Sequence, residues 1–249
     1  MKVYSQDART IILSQYDDPL LNHISKHILS NLSSGEGKTL LDIGCGIGRL
    51  VFAALEKGYQ VVGVDIEPKV ISIAKKDVKE KGLENQCSFY LGDFLKIKHL
   101  RTMCFDAIIC SEVIEHVENP QAIADYAYKL LKPGGIFLLS TPHDPSQWTI
   151  LDDYGQHIQR FTEKNLRKIF YKFQILTLYT VGFPFMRGIM QIYHRLSIIS
   201  HYTHSGTWRK NSTINTGYNT IVKMLLKIDD IFNSLKKGTN LIIMARKRS

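Results

Sequence analysis

The chain has 249 residues, of which 44% are hydrophobic and 22% charged, and its formal net charge is +9 at pH 7. This length and apolar content predict a folded domain with a substantial core and argue against a disordered chain. The sequence holds no run of 18 apolar residues, so no transmembrane helix is expected. The polar first residues do not resemble a secretory signal. The four cysteines show no metal-ligand spacing, so we expect a reduced, cytoplasmic protein.

The basic charge is concentrated in the last hundred residues. Residues 1–150 contain 16 Lys and Arg against 18 Asp and Glu, a net charge of −2, whereas residues 151–249 contain 16 against 5, a net charge of +11. A phosphate-bearing substrate, a nucleic acid or an anionic membrane surface is therefore among the expected partners of this second part. The alternative is a basic face that contacts only solvent.

Short apolar segments alternate with helical segments along the first part of the chain. The predicted strands are Lys38–Ile43, Gln60–Val64, Ser88–Leu91, Ala107–Cys110 and Ile136–Ser140. The predicted helices between them are Arg49–Lys57, Pro68–Lys81 and Pro120–Leu131. The last helix is expected to stop at a Lys-Pro-Gly-Gly segment that turns the chain. This alternation predicts a mostly parallel sheet with helices on both faces.

The second part of the chain predicts two more strands and an insertion. A helix that begins after Thr162 leads to a strand over 173–181, and a last strand covers Asn240–Lys247. The intervening residues hold two amphipathic helical patterns, which predict a lid over the sheet edge. The predicted units are an N-terminal helical cap (1–37), a sheet domain (38–181 and 240–249) and a helical lid (182–239).

The stretch LLDIGCGIGRL places three glycines directly after the first predicted strand. Gly44, Gly46 and Gly48 let the backbone turn sharply and let a ligand approach the main chain closely. A dinucleotide-binding loop needs Gly-x-Gly-x-x-Gly, but Arg49 occupies the place of the third glycine, which argues against a nicotinamide dehydrogenase. Asp42 adds a carboxylate that suits a ligand with a positive sulfonium and an ammonium group better than a pyrophosphate.

Two more acidic residues follow the next two predicted strands. Asp65 ends the second strand, where a carboxylate can accept hydrogen bonds from both hydroxyls of a ribose. Asp93 follows the third strand, where it is placed to bind an adenine amino group, with Phe94 beside it for stacking. A single strand-end aspartate is more often a cap. Acidic residues at the ends of three successive strands favour a nucleoside-binding site.

These motifs resemble the class I methyltransferases that use S-adenosylmethionine. The segments LLDIGCGIG, VVGVDIEP, LGDF, FDAIICSEVIEHV and LKPGGIFLLSTP occur in the order found in that family. The resemblance is closest to O-methyltransferases of the ubiquinone pathway. It implies an α/β fold, a Rossmann-like doubly wound sheet of seven strands that is mostly parallel, with one antiparallel strand near an edge.

The resemblance also implies which residues hold S-adenosylmethionine. The three glycines would line its methionine end, Asp65 would bind the ribose, and Asp93 with Phe94 would bind the adenine. The complete predicted set is Asp42, Gly44, Gly46, Gly48, Asp65, Ile66, Asp93, Phe94 and Ser111.

Candidate catalytic residues lie on the loops after the fourth and fifth strands. Methyl transfer mainly requires that the acceptor be positioned and lose its proton. His143 and His116 are the predicted catalytic residues, and Tyr154, His157 and Arg160 offer further polar groups. The family's members that methylate adenine and cytosine amino groups carry a polar-Pro-Pro-aromatic motif after the fourth strand. This chain has SEVI there, which argues against methylation of nucleic-acid bases.

Glu112, Glu115 and His116 follow an E-x-x-E-H spacing, which places them on one face of a helical turn. Two carboxylates and an imidazole suit Mg²⁺ or Mn²⁺, which could hold paired oxygens of an acceptor and lower the pKa of one of them. The segment is similar to that of ubiquinone-pathway and small-RNA 3′-end 2′-O-methyltransferases, in which these residues bind a metal. The alternative is a segment that only orients a loop.

The sequence therefore predicts an S-adenosylmethionine-dependent methyltransferase that acts on an oxygen of a small or lipid-linked molecule. The amphipathic lid and the basic second part also fit a peripheral contact with a membrane, whereas a lid that simply packs on the sheet is the alternative. Two other functions stay open. One is 2′-O-methylation at an RNA 3′ end, although no RNA-binding module is recognisable. The other is a non-catalytic regulatory subunit that binds the cofactor.

Overall fold

A computed structural model describes residues 18–200 and 212–248. The first part of the predicted N-terminal cap and the middle of the predicted lid, residues 201–211, lie outside the described residues. The strands are β1 Thr39–Ile43, β2 Gln60–Asp65, β3 Cys87–Leu91, β4 Phe105–Ser111, β5 Leu131–Pro142, β6 Phe173–Val181 and β7 Asn240–Lys247. They form one seven-stranded sheet in the order β3–β2–β1–β4–β5–β7–β6.

Only one strand of this sheet runs against the others. β1, β2, β3, β4 and β5 pair in parallel. β7 lies between β5 and β6 and is antiparallel to both. Its residues Leu241, Ile242 and Ile243 are fully buried, as expected of a strand covered on both faces. The predicted mostly parallel sheet with one antiparallel strand near an edge is confirmed.

One detail of the predicted sheet is wrong. The Lys-Pro-Gly-Gly segment does not turn the chain before β5 but lies inside it, because β5 already begins at Leu131. The pairing of β4 with β5 shifts register between Phe105 and Ala107. Gly134 on the facing strand has a φ of 74°. The helix before it does end here, at Leu130, as predicted, but the segment continues as an irregular part of the strand that accommodates a glycine, not as a turn.

The helices cover both faces of the sheet. They are α1 Pro19–Ser30, α2 Arg49–Glu56, α3 Pro68–Glu80, α4 Pro120–Leu130, α5 Ile150–Gly155, α6 Glu163–Ile169, α7 Phe185–Ser200 and α8 Ser212–Asp229. Three of them start with proline after a capping side chain, supplied by Asp18, Glu67 or Asn119. A side-chain oxygen there accepts from free N–H groups of the first turn, while proline has no N–H to satisfy.

Each face of the sheet carries its own apolar layer. On one face, α1 contributes Ile24 and Ile28 to a cluster shared with α2 and α3. On the other, α4 and α6 pack over a group of phenylalanines that includes Phe137 and Phe170, whose ring centroids lie 5.2 Å apart. The sheet is therefore doubly wound, and the carboxyl ends of its parallel strands meet along one edge.

The two lid helices are anchored to α1 and to each other. Met186 of α7 packs with Val222 and Leu226 of α8 in a small cluster that also contacts Leu20 of α1. Asp229 is fully buried, and its two carboxylate oxygens accept from the backbone N–H groups of Phe185 and Met186 at 2.8 and 2.9 Å. This carboxylate holds the start of α7 against the end of α8.

The lid also presents an exposed apolar row. α8 and the 3₁₀ helix Asp230–Leu235 that follows it expose five large apolar side chains at spacings of three and four residues. They are Ile221, Met224, Ile228, Ile231 and Leu235. None of the described helices is long and apolar enough to cross a bilayer. The division into cap, sheet domain and lid remains a prediction.

Candidate functional site

The glycine loop after β1 is held in a conformation that glycine favours. Gly44, Gly46 and Gly48 have φ angles of 70°, 54° and 91°. The N–H of Gly44 donates to the carbonyl of Val64 on β2 at 2.8 Å. A Cβ atom at Gly44 would lie 2.3 Å from a methyl carbon of Val113, on the loop after β4. The loop therefore needs glycine at this position both for its backbone and for its contact with the next loop.

Asp65 ties this loop to the following helix. One of its carboxylate oxygens accepts from the Gly46 N–H at 2.8 Å, and the other accepts from the Glu67 N–H at 2.9 Å. The carboxylate at the end of β2 is thereby fixed next to the glycine loop. Its predicted contact with a ribose remains a prediction.

Asp42 is a buried carboxylate beneath the same loop. Burial raises its pKa to about 8, the charge of Asp65 adds to this effect, and Arg49 opposes it. Its Oδ2 atom has no hydrogen-bond partner among the described residues. An ionised carboxylate in such surroundings is costly unless a positive group compensates it. The site therefore suits a cationic ligand.

An apolar strip lies beside Asp65 at the ends of β2 and β3. Ile66 is 47% exposed and Leu91, which pairs with Asp65 across the two strands, is 52% exposed. Asp93 accepts from the Leu95 N–H at 3.0 Å and lies 3.2 Å from the Lys96 ammonium. Exposed apolar groups flanked by carboxylates suit a flat base joined to a sugar.

Phe94 is placed differently from its neighbours. Its ring is 6% exposed and packs against Tyr126, with ring centroids 5.0 Å apart, so it belongs to the core under the site. Ser111, at the end of β4, shares a hydrogen bond of 2.8 Å with the Ser140 hydroxyl on β5. The predicted cofactor contacts of both residues remain predictions.

Two glutamates follow β4, Glu112 half-buried and Glu115 buried. Glu112 has a φ of 55°, a strained conformation for a residue with a Cβ atom, and accepts from the Asn240 side-chain amide at 2.9 Å. Glu115 is fully buried and accepts from the Thr141 hydroxyl at 3.0 Å. Burial raises the pKa of both carboxyls, and the nearby Glu112 raises that of Glu115 further. A proton or a cation must therefore accompany this pair.

Two imidazoles converge on Glu115. The Nδ1 atom of His116 donates to the Gln156 carbonyl at 3.3 Å, and that of His157 donates to an Asp152 carboxylate oxygen at 2.9 Å. In each neutral ring the Nε2 lone pair is then available. Three ligand atoms lie within 4.8 Å of one another, one each from Glu115, His116 and His157. Glu112 is not a member of this group, so its role as a ligand stays a prediction.

Asp152 and Arg160 form a buried ion pair that holds the His157 ring in place. The Arg160 guanidinium donates to both Asp152 oxygens at 2.6 and 2.9 Å, and its third nitrogen donates to the His143 carbonyl at 2.9 Å. Burial opposes ionisation, but the hydrogen bonds from His157 and Arg160 hold the pKa of Asp152 well below its usual range. The sequence interpretation included His157 and Arg160 but missed Asp152. The available signal was the capping-box spacing from Thr149.

His143 follows β5 and lies beside the start of β7. It is buried, and its Nδ1 atom donates to the Gly238 carbonyl at 2.9 Å, which leaves the lone pair on Nε2 in the neutral ring. The Gln147 side-chain amide donates to the same carbonyl at 3.1 Å. His143 is positioned as a base, and that role stays a prediction.

A glycine loop, strand-end carboxylates and a seven-stranded sheet with this order define a nucleoside-binding α/β fold. A family model described as "Methyltransferase domain" matches residues 34–176, more than half of the chain. The chain therefore belongs to this methyltransferase family. The recognition made from the sequence is confirmed, as is the predicted class of enzyme at the level of the family.

Relatives and solved structures agree with this family. A ubiquinone biosynthesis O-methyltransferase from Xylella fastidiosa is 36% identical over 121 residues, 49% of this chain and 48% of the relative. One from Idiomarina loihiensis is 31% identical over 146 residues, 58% and 59% of the two chains. The chain thus spans about half the length of these relatives. A Haloferax volcanii methyltransferase solved with the activator Trm112 has a TM-score of 0.64 at 16% identity and covers 98% of both chains, which supports the fold.

We expect Asp42→Asn to stabilise the chain when no ligand is bound. Because the folded pKa of about 8 lies above the ordinary 3.8, the wild-type chain loses stability as pH rises toward about 8. The amide has no such loss, so the difference in the free energy of unfolding should grow by about 4 kcal/mol between about pH 5 and about pH 8, and the difference in melting temperature should grow with it. Thermal denaturation at several pH values measures it.

The matched control is Glu84→Gln, which changes an exposed carboxylate and should leave the melting temperature unchanged at each pH. A melting temperature for Asp42→Asn that stays below that of the wild type across this pH range would show that the buried carboxylate is compensated within the chain.

Proposed function

We propose that this protein is an S-adenosylmethionine-dependent O-methyltransferase of a small or lipid-linked acceptor. The observation that carries the proposal is the arrangement around Asp42, a buried carboxylate without a hydrogen-bond partner among the described residues, directly beneath the glycine loop. The names of the relatives, ubiquinone biosynthesis O-methyltransferases, support oxygen as the acceptor atom.

The residues present fit the cofactor. Asp42 would balance its positive methionine end, the N–H groups of the glycine loop would approach its carboxylate, and Asp65 would accept from its ribose hydroxyls. Ile66 and Leu91 would cover the adenine, with Asp93 at its amino edge. When bound, S-adenosylmethionine supplies a methyl group activated by a positive sulfur.

The chain must then hold the acceptor in line and take its proton. His143 offers an Nε2 lone pair whose direction is fixed by the Gly238 carbonyl, so we assign it the role of base. Glu115, His116 and His157 would hold a divalent ion on the neighbouring loop. Their fit rests on the Glu115 Oε1 atom, which is buried without a partner among the described residues, and on two imidazoles aligned by second hydrogen bonds.

An ion at that position would polarise an acceptor hydroxyl and lower its pKa. One carboxylate and two imidazoles favour Mn²⁺ or a similar ion over Mg²⁺, which prefers oxygen ligands. Glu112 would stand next to the ion as a second carboxylate. In this set His157 takes the place that Glu112 has in the E-x-x-E-H triad of the sequence interpretation.

A second candidate function is methylation at an RNA 3′ end. It is favoured by the same carboxylate and imidazole group, together with the +11 charge of residues 151–249. Transfer of labelled methyl groups to lipid, polar-metabolite and RNA fractions separates the candidates. Labelling of RNA alone would select the second function, and no labelling of any fraction would favour a regulatory subunit.

We expect the wild-type chain to bind S-adenosylmethionine or its demethylated product with a Kd of about 1 μM, equivalent to about −8 kcal/mol. Asp65→Ala should weaken binding about 10- to 100-fold, because two ribose hydroxyls lose their acceptor. Isothermal calorimetry measures this, with circular dichroism as the check on folding.

Glu80→Ala, on the exposed end of α3, is the control that should bind normally. No heat from either ligand with folded wild-type protein would refute the proposal, and tight NADH binding would restore the dehydrogenase.

Methyl transfer should fall with a chelator and return with Mn²⁺ or Mg²⁺. Glu115→Gln should lose this metal response while its cofactor affinity stays within about threefold of wild type, because the amide keeps the size of the side chain and can still accept from the Thr141 hydroxyl. Glu118→Gln changes an exposed carboxylate one turn further and should respond like wild type. Full activity after exhaustive chelation would make the group structural and leave His143 as the sole base.

We also propose that the lid contacts anionic membranes and so admits lipid-linked acceptors. Its exposed apolar row is flanked by the exposed lysines Lys223, Lys227, Lys236 and Lys237. An apolar row with basic neighbours is typical of helices that lie in the membrane interface. The predicted lid that packs all its apolar residues on the sheet does not account for this row.

Wild-type protein should float with anionic vesicles at low salt and less at high salt, since charge attraction is screened beyond about 8 Å at physiological ionic strength. Lys223→Glu with Lys227→Glu should abolish flotation, because both charges flank the apolar row. The matched control, Lys75→Glu with Lys79→Glu, changes two exposed lysines on α3 and should float like wild type. If the protein stays soluble at low salt, the lid serves a water-soluble acceptor instead.

A further inference from the structure

A second group of metal-binding side chains lies where the first helix meets the lid. His23 and His27 stand one turn apart on α1, and Asp230 begins the 3₁₀ helix after α8. The Nε2 atoms of both rings lie 2.9 Å from the same Asp230 oxygen, Oδ1. The two Nε2 atoms lie 3.1 Å from each other. Two ligand atoms from α1 and one from Asp230, which is 207 and 203 positions away in sequence, thus form a nearly equilateral triangle.

The contacts around the triangle are compatible with a bound metal. The His27 Nδ1 atom lies 3.1 Å from the Tyr179 hydroxyl oxygen on β6. A hydroxyl both donates and accepts, so the neutral His27 ring can carry its proton on either nitrogen. In the tautomer whose Nδ1 proton is directed at Tyr179, the Nε2 lone pair faces Asp230 and His23, as a metal ligand must. A cation shared by all three atoms would join them in that state.

We propose that His23, His27 and Asp230 bind one transition-metal ion of the Zn²⁺ class. Such an ion lies about 2.0–2.1 Å from nitrogen and oxygen ligands, so it would sit about 1.1 Å above a triangle of these dimensions. Two imidazoles with a single carboxylate select zinc-like ions over Mg²⁺ and Ca²⁺, which take oxygen ligands.

The surroundings are those of a metal site. The side chains of His23, His27 and Asp230 are 7%, 16% and 32% exposed, so the group is largely dry and opens to solvent on the aspartate side, where water can supply the fourth ligand. Tyr179 orients the His27 ring, and the Asn233 amide donates to Asp230 Oδ1 at 3.1 Å. Hydrogen bonds of this kind fix ligand direction and ring tautomer.

The ion would join the lid to the body of the protein. Asp229, the residue before the proposed ligand, holds the start of α7 through two backbone N–H groups. A metal bound by Asp230 and by two side chains of α1 would therefore fix the α7–α8 junction onto the first helix. None of these ligands belongs to the Glu115, His116 and His157 group, so this inference does not rest on the proposed function.

The test uses untagged full-length protein that carries Glu115→Gln and His157→Asn, so that the other metal group is removed. Calorimetry with Zn²⁺ should give one bound equivalent per chain, and the melting temperature should rise by several degrees on addition of Zn²⁺. Co²⁺ in place of Zn²⁺ should show the visible absorption of tetrahedral coordination. Adding His27→Ala or Asp230→Asn should remove the bound equivalent and the rise in melting temperature.

Two further variants keep the test decisive. Tyr179→Phe retains all three ligands and should weaken Zn²⁺ binding about tenfold, a change that remains measurable if His27→Ala does not fold. His99→Ala removes an exposed imidazole elsewhere and should bind Zn²⁺ as the parent does. No bound Zn²⁺ in the parent, or an equivalent that survives both Asp230→Asn and Tyr179→Phe with unchanged affinity, would overturn the proposal.

Discussion

Burial of carboxylates at the carboxyl edge of the sheet is the constraint on which the site depends. Asp42 lies near the end of β1, and Glu115 follows β4, the central strand of the sheet and the neighbour of β1. Cys110, between them, has its thiol pKa raised first by burial and then by the charges of Glu115 and Asp42. A sheet covered on both faces leaves water little access to these groups. A positive group at this edge of the sheet would therefore stabilise the fold, and burial of these carboxylates without one lowers the free energy of unfolding.

Features of the fold and the site could be predicted from the sequence where their signal lies within a few neighbouring residues. The glycine loop and Asp65 could be predicted because each follows a short apolar strand at a fixed spacing. The bulge in β5 could not, because Pro and Gly mark a turn in sequence and only the pairing with β4 keeps them in the sheet. His157 was recognised as polar but not as a neighbour of Glu115, since an aspartate and an arginine place it there through contacts that leave no periodic pattern.

The family model covers the glycine loop and the first five strands of the sheet. It ends at residue 176, within β6, and so stops before the lid helices and β7. The carbonyl that aligns His143 comes from Gly238, beyond that limit. The part of the chain that the family shares thus supplies the glycine loop and the acidic strand ends. The part outside the family model supplies the backbone against which the candidate base is set, and it is where selection among acceptors would be expected.

The close approach of Gly44 to Val113 limits which substitutions the site can accept during evolution. The glycine loop contacts the loop that carries Glu112 and Glu115, the glutamate loop, with room for a hydrogen at Gly44 but not for a methyl group. A larger residue at either position would push the other loop, and with it the strained backbone of Glu112. Under the proposed function, new acceptor preferences that required changes in the glutamate loop would therefore disturb cofactor affinity in the same step. Variation is easier on the lid, which this contact does not reach.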